Sequence, residues 1–125
     1  MKLDHTMLRV SDPEKVIDFY KNAFGFKLVR ESEHDTFTLY FLKIPGQDAK
    51  LELTYNHGED DRYDKGEGFG HIAIQTDEDQ ELEEAYQKAV KAGGEDYRPP
   101  EECPGNYAFV KDPEGYEVEI LGLSA

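Results

Sequence analysis

Apolar and polar residues along this chain change period in a set order, and then do so again. Residues 3–10, "LDHTMLRV", alternate as a strand. "SDPEKVIDFYKNAFGF" then switches to the helical period, with Val16, Ile17, Phe19, Tyr20, Ala23 and Phe24 on one face. Asp12 is placed to cap that helix, Pro13 suits its first turn and Gly25 ends it. Three strand-like runs follow: "FKLVRESE", "TFTLYFLKI" and, after the turn "PGQD", "AKLELTY". A polar, glycine-rich stretch, "NHGEDDRYDKGEGFG", interrupts the pattern. "HIAIQT" resumes it as a strand, and "DEDQELEEAYQKAVKAGG" predicts a helix with Leu82, Ala85, Tyr86, Ala89 and Val90 as its stripe. A short proline-broken segment, "EDYRPPEECPG", precedes the strands "NYAFVK" and "YEVEILGL", which the turn "DPEG" joins.

The order strand–helix–strand–strand–strand therefore occurs twice, in residues 1–57 and 68–125. This predicts an α+β fold of two βαβββ modules in tandem, making one domain over 1–125 with a curved mixed sheet. Individual residues keep the register. His71 follows His5 by 66 positions, and Glu119 in "VEILG" follows Glu52 in "LELTY" by 67.

Strand alternation tests whether these residues belong together. Leu51, Leu53 and Tyr55 share one face while Glu52, Thr54 and Asn56 share the other. Tyr116, Val118 and Ile120 likewise lie opposite Glu117 and Glu119, and His71 lies opposite Ile72 and Ile74. In a curled sheet the polar face lines a hollow, where an unpaired carboxylate costs several kcal/mol. One strand histidine alone reads as a hydrogen-bonded packing residue. Two histidines and two glutamates at matching places read instead as His5, Glu52, His71 and Glu119 around one divalent ion such as Zn²⁺, Ni²⁺ or Fe²⁺. Glu117 shares the face of Glu119, and only the repeat offset chooses between them. His34 and His57 fall in turn and loop sequence and read as solvated, His57 at a rim. The run "GEDDRYD" lacks the order of a calcium-binding loop.

Charge narrows the partners. The balance is 14 basic to 28 acidic residues, a net of −14, which repels nucleic acid and anionic membrane. A local arginine can still hold a small anion inside a Debye length. The lone Cys103 excludes an intrachain disulfide and soft thiolate metal binding. With no signal-peptide pattern in "MKLDHTMLRV", a cytoplasmic protein is expected.

The segments "HTMLRV", "LELTYN", "GHIAI" and "DPEGYEVEI" resemble, in order and nearly end to end, those of the glyoxalase I (lactoylglutathione lyase) family of the vicinal oxygen chelate superfamily. The resemblance implies a homodimer in which each metal site is shared between two subunits. It puts His5, Glu52, His71 and Glu119 at the ligand positions. The implied reaction turns the hemithioacetal of methylglyoxal and a small thiol, glutathione or an analogue, into an S-D-lactoyl thioester. Glu119 takes the role of catalytic base, with Glu52 facing it, and His71 also borders the substrate. Arg9 and Asn56 match positions that hold a terminal carboxylate of the thiol. Compact members of the family favour Ni²⁺ or Co²⁺ over Zn²⁺, so the resemblance implies Ni²⁺, with Zn²⁺ or Co²⁺ as the other choices. The segment "PPEECPG" departs from glutathione-using members, which carry a basic residue and a Gly-Thr pair there, and resembles trypanothione users in this respect. A thiol transferase or dioxygenase of the superfamily would use two histidines and one carboxylate, so Glu52 argues against it. A metal-free binding member gives no reason for all four residues.

Overall fold

The structure, a computed structural model, describes residues 1–123. Its first half runs β1 (His5–Arg9), α1 (Pro13–Phe24), β2 (Lys27–Glu33), β3 (Phe37–Lys43) and β4 (Lys50–Asn56). The second runs β5 (His71–Gln75), α2 (Leu82–Lys91), β6 (Glu95–Arg98), a 3₁₀ turn Pro100–Glu102, β7 (Tyr107–Lys111) and β8 (Glu117–Leu121). The eight strands form two four-stranded mixed sheets rather than one continuous sheet, ordered β1-β4-β3-β2 and β5-β8-β7-β6. In each, the first strand lies parallel to the last and the other pairings are antiparallel. The repeat seen along the chain is thus a repeat of sheet topology.

Local chemistry sets the helix ends. The Asp12 carboxylate accepts from Lys15 N, Pro13 begins α1, and Gly25 closes it at φ 78°, a left-handed conformation that glycine adopts without a Cβ penalty. The second helix starts later than its sequence pattern predicts. Residues 77–80 make a turn instead, Gln80 N donating to Asp77 O at 3.1 Å, and Glu81 leads into α2 without a side-chain cap. A run of acids and no good cap leaves packing to fix that end, and Leu82 is the first residue of the apolar stripe. Gly94 is needed for another reason: a Cβ there would lie 2.8 Å from a ring carbon of Phe19 and from Ala89 O, so the helices could not keep their approach.

One core joins the halves. Leu8, Leu51 and Leu53 of the first sheet and Val110, Val118 and Ile120 of the second cluster with Phe19, Tyr20, Tyr86 and Ala89 of the helices. These strand residues all face the helices, so their alternates face away from the core. On that outward face lie His5, Met7 and Arg9, then Glu52, Thr54 and Asn56, and in the second half His71, Phe109 and Glu119.

Candidate metal centre

Each sheet pairs one histidine with one glutamate. His5 Nε2 lies 2.9 Å from Glu52 Oε1, and His71 Nε2 lies 3.1 Å from Glu119 Oε1. The register is the same in both: Glu52 stands opposite Met7 and Glu119 opposite Ala73, each two residues beyond the histidine. Parallel pairing slants, so the histidine reaches the diagonal carboxylate. Glu117 is the register partner of His71, yet it is Glu119 that meets the ring. The glutamate at the offset of 67 positions is thus the one in contact with the ring.

These separations suit ligands of one ion. Two donors each about 2.1 Å from a common centre and at right angles lie about 3.0 Å apart. Glu52 is 8% exposed on a face that no helix covers, so its charge sits poorly solvated and calls for a cationic partner. The rings keep about two-fifths of their side-chain surface open, 40% for His5 and 39% for His71. Among the described residues, no three or more His, Cys, Asp or Glu side chains gather as a metal-binding group. Within one chain the four residues therefore stand as two separate His–Glu pairs.

Arg9 and Asn56 lie on the same outward face, at the same end of the neighbouring strands β1 and β4, where Arg9 stands opposite Thr54. The Asn56 side-chain nitrogen donates to Tyr63 OH at 3.1 Å, while Tyr116 OH donates to Arg9 O at 2.7 Å and fixes the strand rather than the guanidinium. The loop that carries "GEDDRYD" is strapped to the second half: Arg62 donates to Pro113 O at 2.8 Å, and the Lys65 ammonium sits 5.0 Å over the Tyr116 ring. His57, taken for a solvated rim residue, hydrogen-bonds Thr38 Oγ1 at 2.8 Å, and His34 stacks on Phe37 at 4.6 Å. Neither reaches the pairs. Cys103 is a free thiol beside Arg98 O.

Sequence reasoning missed a further row of residues. Phe41 stands opposite Glu52 and meets His5 edge-on at 6.1 Å, as Phe109 stands opposite Glu119 and meets His71 at 5.0 Å. Beyond each ring, a register shift in the outer strand precedes Arg30 or Arg98, and each guanidinium lies 5.2 Å over its phenylalanine. A bulge re-aims the side chain that follows it. Both rows thus read His–Glu–Phe–Arg across four strands. The signal was present as an offset of 68 positions for both Phe and Arg, hidden because β6 has too few residues to show a period.

The family model of the Glyoxalase/Bleomycin resistance protein/Dioxygenase superfamily matches residues 2–120. The chain belongs to that superfamily. A lactoylglutathione lyase of Escherichia coli O157:H7 is 40% identical over 97% of this chain and 92% of its own length. A probable lactoylglutathione lyase of Vibrio cholerae is 42% identical over 94% and 87% respectively. Among solved structures, the trypanothione-dependent glyoxalase I of Leishmania major superposes with TM-score 0.83 at 35% identity, covering 99% of this chain and 88% of that one. No helix among the described residues is long and apolar enough to cross a membrane.

Proposed function

We propose that this protein is a glyoxalase I, converting the hemithioacetal of methylglyoxal and a low-molecular-weight thiol to the S-D-lactoyl thioester. The observation that carries the reading is the pair of matched His–Glu contacts, 2.9 and 3.1 Å, at repeat-related positions on the face turned from the core. Relatives at about 40% identity named for this reaction support it. Residues 1–57 and 68–125 would act as the two modules of a single domain. Because each half-site supplies two donors, a homodimer would complete the site, one subunit giving His5 and Glu52 and its partner giving the second pair.

His5, Glu52, His71 and Glu119 would hold one divalent ion, for which Ni²⁺ is favoured over Zn²⁺ or Co²⁺. When bound, the ion supplies Lewis acidity to the two adjacent oxygens of the substrate. The Glu119 carboxylate would take the proton from the carbon bearing sulfur and return it to the neighbouring carbon, while the hydroxyl proton passes to the former ketone oxygen, which moves the oxidation level without an external oxidant. Glu52 faces it from the other half, in a position nearly closed to water. His71 borders the reacting carbons. The Arg9 guanidinium, with the Asn56 amide beside it, receives a terminal carboxylate of the thiol. The acidic segment Pro100–Glu102 offers no second cation of its own, so the thiol is glutathione or a less anionic analogue. The lone thiol of Cys103 suits a reducing cytoplasm.

The test is a matrix of Ni²⁺, Co²⁺ and Zn²⁺ against glutathione, trypanothione and other small thiols, with methylglyoxal present and thioester absorbance followed. Turnover is expected with at least one combination. No thioester in any of them, from protein that is folded and dimeric, would end the proposal.

A further inference from the structure

The two imidazoles of the candidate centre differ on the side that faces away from their glutamates. His5 Nδ1 lies 2.7 Å from Asp4 Oδ2. The other Asp4 oxygen, Oδ1, is 3.5 Å from the Lys50 ammonium, and Lys50 N donates to Asp4 O at 2.9 Å across the β1–β4 pairing. Lys50 is also the register partner of His5. The carboxylate is thus held from its far side and turned toward the ring. Among the described residues His71 has no carboxylate at its Nδ1, and the residue before it is Gly70, which has no side chain to offer.

We propose that Asp4 is a positioning residue for the metal centre: it accepts the Nδ1 proton of His5 and thereby leaves the Nε2 lone pair for the ion that His5 and Glu52 would share. The proposal rests on the metal reading above. A neutral imidazole has one N–H and one lone pair, and an acceptor at Nδ1 decides which nitrogen carries which. A carboxylate in that place also makes the opposite nitrogen a stronger donor, and losing such a partner costs roughly ten- to a hundredfold in metal affinity. Lys50 braces the carboxylate, so an exposed side chain at the strand entrance can keep one orientation. The centre is consequently lopsided: among the described residues the first-half histidine is oriented from outside as well, and the second-half histidine by its glutamate and the Phe109 ring.

The experiment compares the wild type, Asp4→Ala, Asp4→Asn and Asp48→Ala as full-length metal-free proteins. Asp48 pairs with Lys2 and not with His5, so its variant removes the same charge and leaves the His5 ring in place. Two readouts are taken: Ni²⁺ affinity by chelator competition, and the His5 tautomer by ¹⁵N NMR at a pH where the ring is neutral. Asp4→Ala should bind Ni²⁺ ten- to a hundredfold more weakly and lose its preference for the Nδ1–H form. Asp4→Asn, whose carbonyl still accepts, should keep the tautomer and part of the affinity, and Asp48→Ala should match the wild type. A His5 that keeps its tautomer in Asp4→Ala, or equal affinity losses in Asp4→Ala and Asp48→Ala, would overturn the assignment. Wild type that binds none of Ni²⁺, Co²⁺ and Zn²⁺ defeats the metal reading instead, while the tautomer still tests Asp4.

Discussion

Tyr20 on α1 donates its phenolic hydrogen to Asp112 Oδ2 at 2.7 Å, joining the helix of the first half to the β7–β8 turn of the second. Both residues are fully buried. The other Asp112 oxygen accepts from Glu114 N at 2.9 Å and Tyr116 N at 3.0 Å, so one carboxylate organises the turn and anchors the helix. Nearby, Glu114 accepts from Ser11 Oγ and, at 2.9 Å, from Asp12 N at the start of α1. Tyr20→Phe removes a hydrogen bond to a charged group and is expected to cost about 1.5–3 kcal/mol. Asp112→Ala leaves three donors without an acceptor, each costing about 1–3 kcal/mol, and should be the more damaging. Urea denaturation ranks the two variants, and the reverse order would show that the Asp112 carboxylate is not what organises the turn and anchors the helix.

The same carboxylate gives stability a pH dependence. Burial pushes the Asp112 carboxyl above the ordinary aspartate range, and the Tyr20 hydroxyl and the turn amides only partly oppose it. A raised folded-state pKa means the fold binds this proton more tightly than the unfolded chain does. The contribution of Asp112 is therefore greatest below the unfolded pKa of about 3.9 and is lost as pH rises through the folded value, at no more than about 1.4 kcal/mol per pH unit. Asp112→Asn has no such proton to lose. Its stability relative to wild type should climb as pH rises through that window and then level off. A difference that stays constant over this window would show that the group does not titrate with folding.

The physical reach of each signal explains what could be read from the chain alone. The ends of α1 were legible because Asp12, Pro13 and Gly25 act on their own helix. The faces of β4 and β8 were legible because alternation is local, and the repeat linked His5 with His71 and Glu52 with Glu119 without any knowledge of contacts. Tyr20 with Asp112 was not legible, since a buried hydrogen bond across 92 positions leaves no local trace. The bulges before Arg30 and Arg98 were also missed, because a single extra residue in an exposed strand breaks a period instead of making one. The late start of α2 has a similar cause: residues 77–81 are polar enough for either state, and the turn wins where no cap stabilises a longer helix.

Glu119→Gln separates holding an ion from moving a proton. The amide keeps an oxygen donor near His71 but has no basic site at neutral pH, so metal should be retained while kcat falls by roughly 10²–10⁴. Metal content by elemental analysis and turnover on the same preparation provide the check. Turnover near the wild-type value with metal present would transfer the base role away from Glu119, and Glu52→Gln is the next variant to measure.

In the proposed reading Arg9 receives the far end of the substrate, so its loss should appear in a different constant. Arg9→Ala is expected to raise KM for the hemithioacetal by about tenfold or more, from the loss of a charged hydrogen bond of about 1.5–3 kcal/mol, with kcat nearly unchanged. The effect should shrink for a thiol that lacks the terminal carboxylate. An equal loss for both thiols would mean that Arg9 supports the strand and not the ligand.

A shared centre makes a prediction that no self-contained one does. His5→Ala damages the half-site on the first sheet and His71→Ala the half-site on the second, so each variant alone should be nearly inactive. Mixing the two and allowing subunits to exchange gives a heterodimer in which one centre combines both damaged halves and the other combines both intact halves. Random pairing makes half of all dimers mixed, each with one working centre of two, so activity should return to about a quarter of the wild-type value. The recovery should follow the kinetics of subunit exchange and be prevented by cross-linking the homodimers before mixing. If each subunit instead built its centre from its own four residues, every centre in every mixture would still lack one imidazole, and activity would stay at the level of the separate variants.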